Sequence, residues 1–372
     1  MSGVSGDTRI QTKEYGIVRI RTVAGKQLTI WDGNDWTPCE IEHLGSGRLC
    51  KVSFIGGQVF ECSPTHKFTV EKPEHRIKPV VCACLSHHKA NSTHNAHILV
   101  PTKFADSDYR YSSAGYRETF SLERKNANNI FIDDLACNDR DKGVVLGRIA
   151  SNGYYAKGGY ASIIRMTVAE HEYSVAPSLL EFSKGWGVTT RVLSPAKGRR
   201  QEVTFIECYS TPLRNELCAL NLRYSINDAL FMDTAMLRGL LRGWFDGDGT
   251  VGADNISLTQ GIQADFDGLF RDIQKALLFL GIRGRYHHYP DRKYILSITK
   301  ADSRRFMDMV GFLDDGKATK ALGLKGRKEG GKVFGKCLLV DNVEVTNDEV
   351  DMFSVCGTER GYYVADGLVC HE

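Results

Sequence analysis

One pattern occurs twice in this chain, and that repetition limits its possible folds more than any other feature. The string LRGLLRGWFDGDGT, Leu237 to Thr250, opens with Leu237, Leu240, Leu241 and Trp244 on one apolar helix face. Gly239 and Gly243 lie four apart on such a helix, where missing side chains let a second backbone come very close. Asp246, Gly247, Asp248 and Gly249 then stop the helix and leave two carboxylates at its end. Acids buried beside a close helix contact are costly unless a cation or a reaction uses them. Taken alone, the string also fits a core helix that ends in an Asp-Gly turn. The string KGVVLGRIASNGYY, Lys142 to Tyr155, repeats the layout. Gly143 and Gly147 match Gly239 and Gly243, and Asn152-Gly153 matches Asp248-Gly249. Each match has an offset of 96 residues (239 − 143, 243 − 147, 248 − 152). Downstream, SLLEFSKGWGVTTRV (Ser178 to Val192) resembles KALLFLGIRGRY (Lys275 to Tyr286). Two close-packing helices in an internal repeat imply a pseudo-twofold axis between them, a symmetry that duplex DNA shares.

The surroundings of the repeat are ordinary. A chain of 372 residues has room for about two domains. An apolar share of 42%, a charged share of 25% and a net charge of +3 describe a globular protein and name no partner. Eleven cysteines, scattered without a framework, point to a reducing compartment, so a soluble cytoplasmic protein is expected. No apolar run is long enough to span a bilayer, and there is no signal-peptide core, so no membrane partner is expected.

Ahead of the repeat, IVRIRTV (Ile17 to Val23), KQLTIW (Lys26 to Trp31) and CKVSFIGGQVFECSPTHKFTV (Cys50 to Val70) alternate apolar and polar residues, broken by Gly-Lys, Asp-Gly and Gly-Gly. They predict short hairpin-linked strands, with no long helical pattern before about residue 115. The segment Cys82 to His97 holds two cysteines and four histidines, a composition compatible with zinc, but the spacing fits no standard finger. Between the two copies, Lys184 to Arg200 carries Lys184, Arg191, Lys197, Arg199 and Arg200 and no acid. Arg283 to Lys293 carries Arg283, Arg285, Arg292 and Lys293 against Asp291, with Tyr286, His287, His288 and Tyr289 interleaved. Either cluster alone fits a solvated hairpin. Paired about a twofold, they fit two DNA-facing hairpins, where lysine and arginine neutralise phosphates and arginine also reads guanine. A further basic run, Lys317, Lys320, Lys325, Arg327, Lys328 and Lys332, fits a linker with or without phosphate contacts.

The doubled string resembles the LAGLIDADG homing endonucleases, most strongly in its second copy. The resemblance implies two helices packed at the domain centre, an acid at each helix end holding divalent metal, and twisted sheets straddling the major groove. The metal-binding acid falls on Asp248. Asn152 stands at the same place in the first copy, a departure from the family. VGFLDDGKATKAL (Val310 to Leu322) resembles the closing motif, whose lysine falls on Lys317.

A second resemblance frames the first. VSGDTRI (Val4 to Ile10) and CSPTHKF (Cys62 to Phe68) look like the first two motifs of inteins, the self-splicing Hint domains. Ser63 and His66 stand at the Thr and His places. MFSVCGTERGYYVADGLVCHE (Met352 to Glu372) looks like the two C-terminal motifs. Together the resemblances imply a mixed fold. An all-β, horseshoe-like Hint domain (3–112 and 333–372) would hold an inserted α+β endonuclease domain (113–332) of pseudo-twofold ααββαββα-type repeats. They also imply a monomer with two partners: a host extein in cis, and double-stranded DNA from the inteinless allele of the host gene.

The residues of each chemistry are only partly present. Splicing needs a nucleophile at the first intein residue, which here falls on Gly3, and a cyclising asparagine at the last, which falls on Glu372. Gly361 replaces the penultimate-motif histidine, and Ser354 stands where Asp or Cys is common, while Ser63, His66 and His371 remain. Cleavage of DNA needs metal at the scissile phosphate, and hard Mg²⁺ prefers oxygen ligands. Asp248 offers a carboxylate and Asn152 a neutral carbonyl, and the resemblance implies that Lys317 could stabilise the pentacovalent phosphate. Asp246 reads as a helix-ending carboxylate and not a ligand. Three outcomes stay open: an endonuclease, a self-processing protein that does not cut DNA, and a weakened or inactive DNA-binding relic.

Overall fold

The alternating stretches at the two ends of the chain become strands of one sheet. The computed structural model describes residues 2–71, 77–82, 97–101, 103–119, 130–155, 163–193, 202–290, 292–324 and 337–372. The N-terminal strands are β1 (Val4–Ser5), β2 (Arg9–Thr12), β3 (Gly16–Arg19), β4 (Gln27–Trp31), β5 (Trp36–Phe54), β6 (Val59–Cys62), β7 (Lys67–Glu71), β8 (Ile77–Val81) and β9 (His97–Leu99). The middle of the chain supplies β10 (Gly153–Tyr155), β11 (Ile163–Ala169), β12 (Thr189–Leu193), β13 (Val203–Tyr209), β14 (Gly249–Val251), β15 (Asn255–Gly261), β16 (Gly284–Tyr289) and β17 (Lys293–Thr299). The C-terminal strands are β18 (Cys337–Cys356), β19 (Tyr362–Ala365) and β20 (Leu368–His371).

Strands from both termini share a twelve-stranded sheet in the order β19-β20-β7-β9-β18-β1-β6-β5-β4-β2-β3, with β8 on β7. Pairing of β19 with β2 brings this path back on itself, and the long strands β5 and β18 pair along most of their length. Val4, Ile10, Ile30, Ile41, Cys50, Phe60, Phe68, Ile98, Val355 and Cys370 form the core of this β-module.

The middle segment folds into helices and two smaller sheets. Its helices are α1 (Ala114–Thr119), α2 (Asp139–Asn152), α3 (Ala176–Phe182), α4 (Thr211–Leu220), α5 (Asp228–Met232), α6 (Thr234–Asp248), α7 (Asp267–Phe279), α8 (Lys300–Met309) and α9 (Asp315–Gly323). Local chemistry starts the two repeat helices. Asn138 accepts the Asp141 N–H at 3.0 Å to cap α2, and Asp233 accepts the Met236 N–H at 2.9 Å to cap α6. The two four-stranded sheets have the same antiparallel order, β10-β11-β13-β12 and β14-β15-β17-β16. Among the described residues no helix is long and apolar enough to cross a membrane.

Helices α2 and α6 meet through their glycines. A Cβ on Gly143 would lie 2.1 Å from Met236 O, and one on Gly147 2.2 Å from Leu240 O. A Cβ on Gly239 would lie 1.8 Å from Arg140 O, and one on Gly243 2.1 Å from Val144 O. Met236 and Arg140, like Leu240 and Val144, are 96 residues apart (236 − 140, 240 − 144). The contacts are therefore reciprocal at the repeat offset, as they are across an isologous interface. All four positions require glycine because carbonyl oxygens occupy the space a side chain would need.

The two modules also touch. Phe104 and Tyr111 pack with the middle core, and the Ser107 hydroxyl donates to Met232 O at 3.2 Å, so the chain joins the middle module before residue 113. Arg9 of β2 bonds Asp228 of α5 at 2.8 Å.

Candidate functional site

The glycine-locked crossing sets the ends of α2 and α6 side by side. Gly247 lies against the first copy: a Cβ there would meet Ser151 Oγ at 2.0 Å and Asn152 Cγ at 3.4 Å. Asn152 and Asp248 thus end neighbouring helices, and β10 and β14 leave from those ends into separate sheets.

Asp248 and Asp246 have different surroundings. The Asp246 side chain is fully buried and accepts the Leu313 N–H at 3.0 and 2.9 Å and the Asp314 N–H at 3.1 Å. It fixes the loop before α9 from inside the last turn of α6, which runs on to Asp248. The first turn of α9 carries Lys317, whose N–H donates to the capping Asp314 Oδ1 at 2.6 Å and whose ammonium donates to Asp246 O at 2.5 Å. Burial pulls the Lys317 amine below its ordinary value, opposed by the carboxylates of Glu172 and Asp246. Asp248 accepts a hydrogen bond from Gln260 Nε2. Burial raises the Asp248 carboxyl, against the Gln260 bond and the nearby charges of Arg148 and Lys317.

The first copy differs beyond its amide. Arg148, one turn before Asn152, is wholly buried, bonds both Glu172 oxygens at 3.2 Å and donates to Thr167 O at 3.1 Å. Its counterpart at the repeat offset is Trp244 (244 − 148 = 96). Arg223 donates to Gly153 O at 2.5 Å, at the start of β10.

Sequence reasoning missed Gln260, the Arg148–Glu172 pair and Arg223. Strand register supplies the signal for Gln260. Gly153 pairs with Met166 and Gly249 with Leu258, so Gln260 matches Val168 in the first copy. The amide that supports Asp248 thus has an apolar residue in its place beside Asn152.

The exposed face of the second sheet is polar. Thr250, Ser257, Ser297 and Arg285 lie opposite one another across its four strands. Thr259, Ile295 and His287 form the next row, and Gly261, Lys293 and Tyr289 the one after. Arg285, His287 and Lys293 are all exposed. Arg283 is not part of this face: it precedes β16 and is bound to Asp302 at 2.9 and 3.1 Å. On the first sheet the corresponding row is Tyr154, Arg165, Glu207 and Thr189. Glu207 accepts from Arg165 at 2.6 Å and from Arg191 at 3.4 Å. Lys197, Arg199 and Arg200 lie outside the described residues, as do Lys325, Arg327, Lys328, Lys332 and positions 83–96 of the Cys/His-rich segment.

The residues that the intein resemblance would put at the junctions lie in the β-module. Gly3 N–H donates to Ser63 Oγ at 3.0 Å, and Ser63 N–H returns to Gly3 O at 2.8 Å. His66 follows, fully buried among Phe60, Phe68 and Tyr363, with neither ring nitrogen hydrogen-bonded. Burial lowers its pKa to about 3. His371 pairs across strands with Lys67, next to His66. The His371 ring contacts Glu372 O at 3.0 Å, and Glu372 Oε1 accepts the Thr358 N–H at 2.6 Å. A Cβ on Gly361 would lie 3.4 Å from the His371 ring, so Gly361 faces this histidine. Ser354 lies on β18 opposite Glu42, and its hydroxyl donates to Val355 O at 3.5 Å. A Cβ on Gly3 would lie 3.0 Å from both Phe353 O and Leu44 Cδ1, which leaves little room for a nucleophilic side chain.

Among the described residues no group of three or more His, Cys, Asp or Glu is placed to hold a metal ion. Asp248 offers one half-buried carboxylate at the helix ends, beside the amide of Asn152.

A family model described as a LAGLIDADG-like domain matches residues 235–311, which run from the start of α6 to just past α8. No curated protein matches the chain. Among solved structures, I-DmoI in complex with DNA and Mn is 16% identical, covers 46% of this chain and 97% of its own, and has a TM-score of 0.36. The homing endonuclease I-WcaI bound to its DNA recognition sequence is 10% identical, covers 55% and 97%, and scores 0.37. Full-length DUF199/WhiA from Thermatoga maritima is 14% identical, covers 60% and 69%, and scores 0.36. Likeness at this level carries no argument about function.

Proposed function

We propose that this protein is a metal-dependent, site-specific endonuclease of double-stranded DNA, inserted in an intein-type β-module whose junction chemistry is disabled. The observation that carries the reading is the glycine-locked crossing of α2 and α6, which brings Asp248 and Asn152 together between two sheets of the same strand order. The LAGLIDADG-like match over the second copy supports it. The pseudo-twofold relation of the copies would place one sheet on each half of the DNA site. Arg285, His287 and Lys293 would face the duplex from the second sheet.

Asp248 suits a hard divalent cation such as Mg²⁺. Its half-buried carboxylate, raised by desolvation, gains from a positive charge, and the remaining ligands would be phosphate and water oxygens. Such a cation supplies charge stabilisation at the phosphate and an activated water. Gln260 orients the Asp248 carboxylate. Lys317 brings a desolvated ammonium to the same helix end. On the other side Asn152 supplies a carbonyl without charge, and Val168 replaces the supporting amide. The two half-sites should therefore be unequal.

For the test, the host-gene sequences flanking this coding segment are joined in a supercoiled plasmid and incubated with Mg²⁺. Nicked circles should build up before linear DNA, Asn152→Asp should speed linearisation, and Asp248→Asn should stop both steps. Linear product with no nicked intermediate removes the asymmetry. Full cleavage by Asp248→Asn removes the site assignment. Tight binding without cleavage, restored by Asn152→Asp, identifies a decayed nuclease.

The β-module reading rests on the Gly3–Ser63–His66 and His371–Glu372 clusters. On this reading they would be a splicing centre that lacks its nucleophile at Gly3 and its cyclising amide at Glu372.

A further inference from the structure

We infer that Cys50 and Cys82 are a redox-active dithiol that closes to a disulfide when a peroxide oxidises it. Cys50 lies in β5 and pairs directly with Cys62 of β6. Cys82 follows β8, where its N–H donates to His66 O at 2.6 Å. These backbone anchors bring Cys50 Sγ and Cys82 Sγ to 3.2 Å. All three cysteines are fully buried. A disulfide of about 2.05 Å needs the two sulfurs to approach by roughly an ångström, within reach of side-chain rotation while the strands stay in place. Hydrogen bonds from Cys62 and Cys82 hold the Cys50 thiol below its usual range, and burial raises that of Cys62. Two neighbouring thiols directed at the Cys50 sulfur favour its thiolate, and the thiolate is the nucleophile.

The chemistry balances with one peroxide. The Cys50 thiolate attacks one oxygen of hydrogen peroxide, the O–O bond breaks, and a sulfenic acid forms with loss of hydroxide. Cys82 sulfur then attacks Cys50 sulfur and displaces the second hydroxide. The two thiol protons convert both hydroxides to water. The net change is two thiols and one peroxide to one disulfide and two waters. Peroxide is small and uncharged, so it can reach a buried sulfur that a bulky alkylating reagent does not.

The location gives the bond a consequence. Cys62 lies opposite Val4, next to Gly3, and Cys82 is tied to His66. The thiols sit directly behind the Gly3–Ser63–His66 cluster, and the disulfide would join the two strand systems that hold it. It would close a loop of 32 residues and so raise stability.

The experiment treats the folded full-length chain with hydrogen peroxide, blocks remaining thiols after denaturation and maps a non-reducing digest by mass spectrometry. The expected product is a peptide pair joined through Cys50 and Cys82, two hydrogens lighter than its parts and reversed by dithiothreitol. Cys50→Ser or Cys82→Ser should abolish it, and Cys62→Ser should leave it. A Cys50–Cys62 link, Cys50 carried on to sulfinic acid, or Cys50 recovered as thiol once surface methionines are oxidised would each overturn the proposal. The wild-type map decides the matter even if a serine variant fails to fold.

Discussion

His66 shows how one residue ties the β-module to pH. Its ring is fully buried without a hydrogen bond on either nitrogen, and burial lowers its pKa to about 3 from 6.5. Between those values the unfolded chain binds the proton and the folded chain does not, so stability rises with pH across that window. Acidification from about 6.5 towards 3 should therefore cost on the order of 5 kcal/mol. Urea unfolding at stepped pH should show this slope, and His66→Phe should flatten it. An unchanged slope in the variant would assign the acid sensitivity elsewhere. Single residues were unevenly legible in the sequence. The helix-end position of Asp248 was readable because a repeat marked it, whereas the partners of Asp246 were not, because they come from the loop before α9. Gln260 was not, because strand pairing, and not chain spacing, brings it to Asp248. The Arg148–Glu172 pair was hidden for the same reason.

Among elements, the α2–α6 pair was the most legible, because glycines four apart on two helices leave few packings other than a close crossing. The structure adds what occupies the space. At Gly243 the obstacle is Val144 O, and a carbonyl in a helix cannot turn aside as a side chain can. Gly243→Ala should force the helices apart and destabilise the middle module by about 3 kcal/mol, at the upper end of ordinary overpacking. Urea melts followed by the buried Trp244 would measure this, and a loss below about 1 kcal/mol would show that the crossing relaxes easily. Cleavage should fall further than stability, because Asp248 and Asn152 move with the helix ends. The basic stretches were less legible, because charge spacing does not say which face a residue takes. Alternation along β16 puts Arg285 and His287 on the exposed face, while Arg283 is committed to Asp302. Arg285→Ala with Lys293→Ala should lower DNA affinity and flatten its dependence on salt by roughly two phosphate contacts. Arg283→Ala should leave that slope unchanged. Equal slopes in all three proteins would remove the second sheet from the interface.

At the scale of the whole molecule, the sequence placed strands at both ends and a repeat between them but gave no sign of how the parts meet. Contacts between them follow no period along the chain. Leu278 of α7 belongs to the β-module core, and a Cβ on Gly367 would lie 2.7 Å from it. Gln58 donates to Gly284 O at 2.8 Å, and Tyr286 N–H donates to Gly56 O at 2.9 Å, so β16 is steadied by a turn of the other module. Arg9 is the deepest charged link. Its side chain is 6% exposed and stacks 4.0 Å over Phe231. It reaches Asp228 at 2.8 Å and Asp272 at 3.6 Å. Burial raises the Asp272 carboxyl, and the Arg9 charge is the main counterweight. Arg9→Ala would leave Asp272 buried without that cation, and breaking a buried pair from one side costs about 3–5 kcal/mol. Asp228 is half exposed and water can take over part of its share, so the lower end applies. Since the link joins two separate cores, its loss should uncouple them. Scanning calorimetry of Arg9→Ala should show the melting transition split or broaden into two, with no comparable change in Lys13→Ala, whose partner Asp108 is 4.0 Å away and exposed. A single sharp transition at an unchanged temperature would mean that the remaining contacts, Leu278 and the bonds of Gln58 and Tyr286 among them, hold the modules together without Arg9.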